Sequence, residues 1–90
     1  MLVHIFISGF VQGVGFRRFI KDHALKLGLT GWVRNLNDNR VEAVFQGSTL
    51  NIEKMILLCE KGPFLSEVKN IDVIWEKNSQ GSPYKTFEIA

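Results

Sequence analysis

Gly9-Phe10-Val11-Gln12-Gly13-Val14-Gly15-Phe16-Arg17-Arg18 is the stretch on which the fold turns, because an apolar strand pattern runs into it and an amphipathic helical pattern runs out of it. Three glycines across such a junction let the backbone turn tightly and present successive N–H groups. A helix that starts there adds the positive end of its dipole, so the junction is suited to an anion. Arginine at the end of the loop brings a planar fork of donors that matches two phosphate oxygens. The stretch therefore reads as a phosphate cradle between a strand and a helix.

Upstream, Leu2 to Ser8 alternates Val3, Ile5 and Ile7 with His4, Phe6 and Ser8, the period of a half-buried strand. Downstream, Phe16, Phe19, Ile20, Ala24 and Leu27 fall at helical spacing, with Gly28 placed to end the helix. Thr30 to Leu36 reads as a second strand. The turn-rich Asn37-Asp38-Asn39-Arg40 then leads to a third, in which Val41, Ala43 and Phe45 share a face. Gly47 and Ser48 open a second helical pattern with Ile52, Met55, Ile56 and Cys59 spaced for burial, Ser48, Thr49 or Asn51 available as caps, and Gly62-Pro63 as its stop. Val68 to Trp75 is a fourth strand, the polar run Lys77 to Ser82 a loop, and Tyr84 to Ile89 a short last strand.

The order βαββαβ with a terminal extra strand predicts an α+β, ferredoxin-like sandwich, with two helices on one face of an antiparallel sheet. Residues 1–90 make a single domain: 46% hydrophobic and 22% charged residues suit one compact core. In that topology the first and second strands run the same way with the third between them. The glycine-rich loop and Asn35 are then expected at the same end of the sheet.

Composition narrows the partners. A net charge of +2, from eleven Lys and Arg scattered among nine acids, gives no basic stripe and argues against nucleic acid. The N-terminal apolar run lacks the basic segment and cleavage site of a signal peptide, and nothing approaches a membrane span. A lone Cys59 makes no internal disulfide, and no Cys/His cluster has metal-ligand spacing, so a cytoplasmic, metal-free monomer without a cofactor is expected.

Two segments resemble the two signatures of the acylphosphatase family. Gly9-x-Val11-Gln12-Gly13-Val14-x-Phe16-Arg17 matches that family's G-x-V-Q-G-V-x-F-R at every specified position. Gly31-Trp32-Val33-Arg34-Asn35, followed by Val41 and Gly47, matches G-W-V-x-N-x(3)-G-x-V-x(5)-G except at Asn39, where the family usually has glycine. Asn tolerates left-handed backbone better than other side chains, so a slightly less stable hairpin and an intact site are expected. The resemblance implies hydrolysis of the carboxyl-phosphate bond of small acyl phosphates without a metal. It assigns phosphate binding to Arg17 and the loop of Gln12, Gly13, Val14, Gly15 and Phe16, and water positioning to Asn35.

The residue types suit that chemistry. An acyl phosphate expels a carboxylate whose conjugate acid has a pKa of ~4 to 5, so no general acid is required. Phosphoryl transfer depends mainly on alignment and on stabilising charge over the equatorial oxygens, which amides and a guanidinium supply. Other polar residues read as structural: Arg18 as a solvated helix residue pointing elsewhere, Gln12 as a loop-shaping side chain that contributes its backbone amide, and His23 as a partly buried, hydrogen-bonded residue. The competing functions are a non-catalytic phosphate-binding regulatory module and, more remotely, a single-stranded RNA binder, for which no matching aromatic strand signature is present. The motifs describe the phosphate end and leave the acyl group unspecified.

Overall fold

The computed structural model describes residues 1–77 and 83–90, so the loop expected over Lys77 to Ser82 lies, apart from Lys77, outside the described residues. The chain runs β1 (Leu2–Phe10), α1 (Phe16–Lys26), β2 (Thr30–Asn35), β3 (Val41–Gln46), α2 (Thr49–Lys61), β4 (Glu67–Glu76) and β5 (Phe87–Ile89). The strands form one sheet in the order β4-β1-β3-β2-β5, and β1 and β2 both pair antiparallel to β3.

One expectation needs correction: the sheet is mixed, because β5 pairs parallel with β2. The reason is the crossing point. β4 runs antiparallel to β1 and stops beside Leu2, at the end of the sheet away from the glycine-rich loop. A strand entering the opposite edge from that end must run back in the direction of β1 and β2. Its register, Val33 against Ile89, carries Ile89 towards the loop end of the sheet. Stacking of Phe87 on Phe45, with ring centroids 5.5 Å apart, fastens this three-residue strand to the core.

The strand periodicity sorts as the sequence indicates. Val3, Ile5, Ile7, Val33, Ala43 and Phe45 are buried with Phe16, Ile20 and Ala24 of α1 and Ile52, Met55 and Cys59 of α2 in one core, so both helices cover the same face. β3, between two neighbours, is buried along its whole length, Glu42 included. The helix ends follow local chemistry. The Leu29 N–H donates to the Ala24 carbonyl and the Gly28 N–H to that of Leu25, a Schellman-type closure around Gly28 at φ 67°. Ser48 Oγ accepts from the Asn51 N–H and caps α2. Among the described residues no helix is long and apolar enough to cross a membrane.

Candidate active site

The loop between β1 and α1 carries Gly13 at φ 75° and Gly15 at φ 80°, left-handed conformations that cost an L side chain energy and belong to the turns that form N–H concavities for anions. Gly15 is also the N-cap of α1, and no side chain caps that helix. The first N–H groups of a helix have no intrahelical partner, so those at this end remain available to a ligand. Its first turn holds no acid and two cations, Arg17 and Arg18. Cations there oppose the helix dipole by about 0.3–1 kcal/mol each. Local electrostatics therefore favour a bound anion.

Asn35 closes β2 at the same end of the sheet, and a cavity of about 220 Å³ is lined by Val11, Gly13, Gly15, Phe16, Arg17, Arg18, Asn35 and Ile89. The loop and the asparagine, distant in sequence, thus meet as the topology requires. Asn35 Oδ1 is buried and, alone among the buried side-chain oxygens and nitrogens of the described residues, has no hydrogen-bond partner. An unpaired buried acceptor costs about 1–3 kcal/mol unless a water or a ligand supplies the donor.

Gln12 explains how the two halves keep their distance. Its Nε2 donates to the carbonyls of Leu36 at 2.8 Å and Arg40 at 2.9 Å, which ties the loop to the β2–β3 hairpin one residue beyond Asn35. The side chain is committed to shaping the loop. Within the hairpin, Leu36 N–H donates to the Arg40 carbonyl, and Asn39 takes φ 72° where a glycine would sit without strain.

Two sequence expectations change. Arg18, expected to point elsewhere, is among the residues that line the same cavity, at its exposed margin in the first turn of α1. His23 packs its ring against Phe19, centroids 4.5 Å apart, and no hydrogen bond from its ring occurs among the described residues. Ile89 was not anticipated; only the parallel pairing of β5 brings it to the cavity. Asn37, the nearest other asparagine in the sequence, is exposed in the turn and absent from the cavity wall. Burial pushes the Cys59 thiol far up, which removes it as a nucleophile.

On the open face of the sheet, Glu42 accepts from Arg34 Nε at 2.7 Å and contacts His4 Nε2, while the Arg34 guanidinium lies 5.2 Å from the Trp32 ring centre. These groups satisfy one another away from the cavity. Among the described residues no three His, Cys, Asp or Glu side chains are placed to hold a metal ion.

The profile of the acylphosphatase family matches residues 3–89. An acylphosphatase of Roseiflexus sp. is 51% identical over 74 residues, which cover 82% of this chain and 80% of that protein. One from Pelotomaculum thermopropionicum is 48% identical over 87 residues, 97% of this chain and 92% of that protein. The crystal structure of acylphosphatase from Bacillus subtilis is similar with a TM-score of 0.93 at 35% identity, covering 100% of this chain and 99% of that one.

Proposed function

The chain belongs to the acylphosphatase family of hydrolases, and from that premise we propose that it cleaves small acyl phosphates in the cavity between the β1–α1 loop and the end of β2. Arg17 binds two phosphoryl oxygens through its guanidinium fork, and the amides of Gln12 to Phe16 hold the rest of the phosphoryl charge against the N-terminus of α1. Asn35 Oδ1 accepts a hydrogen from the attacking water, which leaves a water lone pair directed at phosphorus. The water oxygen bonds to phosphorus as the bond from phosphorus to the acyl oxygen breaks. The carboxylate departs unprotonated, and the phosphate takes the proton from the water.

The observation that carries this reading is the orphaned Oδ1 of Asn35 in one cavity with Gly13, Gly15 and Arg17. A cradle for anion binding alone has no use for a buried acceptor beside the anion. The assay is hydrolysis of acetyl phosphate with and without EDTA: equal release of inorganic phosphate in both is expected. Tight phosphate binding without turnover would favour the regulatory module, and activity abolished by the chelator would contradict the metal-free reading.

A further inference from the structure

β4 and β5 are the two edges of the sheet, and β4, with ten residues, is its longest strand. Among the described residues only β1 pairs with it, so no strand lies against the backbone N–H and C=O groups of its outer side. The register sorts its side chains: Ile71, Val73 and Trp75 stand opposite the buried Ile7, Ile5 and Val3 and point to the helix side, while Asp72, Ile74 and Glu76 point to the open face. On the helix side, cavities of about 350 and 340 Å³ share Ile56 and Val73 and run together as one groove between β4 and α2. Val73, Trp75 and Leu57 leave apolar surface in it, 37%, 39% and 65% exposed. An open edge is commonly blunted by charges that point inward, and here the inward positions Ile71, Val73 and Trp75 are apolar.

The same edge is acidic in a chain whose net charge is +2. Glu67, Asp72 and Glu76 lie on β4, and Glu53 and Glu60 line the groove from α2, five of the nine acids against the single strand cation Lys69. None of the five makes an ion pair among the described residues. A ligand for this edge therefore needs backbone groups, apolar side chains and positive charge together.

We propose that β4 is a docking edge for an extended segment of a partner protein in which apolar and basic residues alternate. The segment continues the sheet beyond β4 by main-chain hydrogen bonds. Because successive side chains of a strand point to opposite faces, its apolar residues enter the groove over Val73 and Trp75 while its basic residues meet Asp72 and Glu76. A second copy of the chain is the poorer occupant, since two β4 edges would bring their acids together. The docking edge is the one opposite β5, and the proposal is independent of the hydrolysis proposed above.

The test titrates isotope-labelled protein, followed by NMR, with a short end-blocked peptide of alternating valine and lysine. Two controls accompany it: the same peptide with glutamate in place of lysine, and the lysine peptide N-methylated at alternate residues to remove the donors of one edge. At millimolar concentration the lysine peptide should shift the β4 amides and slow their exchange with solvent, leaving those of β5 unchanged. The N-methylated peptide should lose the slowed exchange, and the glutamate peptide should bind at least about fivefold more weakly. Asp72→Lys should weaken the lysine peptide about fivefold and Leu57→Ser about threefold, and added salt should weaken it in the wild type. Both residues are exposed, so unchanged thermal midpoints should show that folding is not the cause. Unslowed β4 amides at millimolar lysine peptide, or equal affinity for the glutamate peptide, would overturn the proposal. So would shifts confined to the surface around Glu42, which would mean charge attraction without strand addition. Slowed β4 amides in the protein alone, with a molar mass that doubles as concentration rises, would overturn it in favour of a second copy as the occupant.

Discussion

In the proposed mechanism Asn35 is a neutral side chain asked to do work usually given to a base, and the chemistry of an acyl phosphate makes that sufficient. The leaving carboxylate needs no proton, and the phosphate can take the one that water loses. What remains is alignment, which a single buried acceptor supplies. Asn35→Ala should lower kcat on the order of 10² with a much smaller change in KM, because the phosphoryl contacts stay in place. Steady-state kinetics on acetyl phosphate check this; a loss confined to KM would assign Asn35 to substrate binding instead. The place of Asn35 beside the glycine-rich loop was legible in the sequence through the strand order. Its unpaired oxygen was not, since pairing depends on what the folded hairpin places around it.

At the scale of elements, the site is held by a link between a loop and a hairpin. Gln12 bridges two carbonyls at the mouth of the β2–β3 turn, so the loop is tied to the hairpin that carries Asn35. Gln12→Ala should leave two carbonyls without this donor and reduce kcat/KM by about tenfold while lowering stability by roughly 1 kcal/mol. Kinetics paired with urea unfolding separate the two effects, and unchanged kinetics would show that the link is dispensable. Local signals of this kind read well from sequence: the β1 alternation, the Gly28 and Gly62 stops and the Ser48 cap are set by neighbouring residues. The parallel pairing of β5 did not read out, because it depends on where β4 leaves the sheet. Ile89 and the rim position of Arg18 went unassigned for the same kind of reason: each is defined by three-dimensional closure, not by spacing.

At the scale of the whole molecule, charge is divided between two faces. The open sheet face is internally neutralised around Glu42, whose side chain is 7% exposed, while the cavity at the end of the sheet keeps its cations uncompensated. Burial by itself pushes the Glu42 carboxyl up, but the hydrogen bonds and charges of Arg34 and His4 outweigh it and hold it below the ordinary value of 4.5. A folded-state value below the unfolded one gives stability that is complete above about pH 4.5 and is lost as pH falls through the folded value. Melting curves from pH 6 to 3 should therefore show a shallower acid decline for Glu42→Gln than for the wild type; parallel declines would remove Glu42 from the account. The most direct test of the catalytic assignment is kcat/KM for acetyl phosphate in Arg17→Lys, alongside its thermal midpoint. Lysine keeps the charge and loses the two-pronged contact, so a loss on the order of 10² with an unchanged midpoint is the expected result. A folded Arg17→Lys protein that turns over acetyl phosphate at the wild-type rate would contradict it.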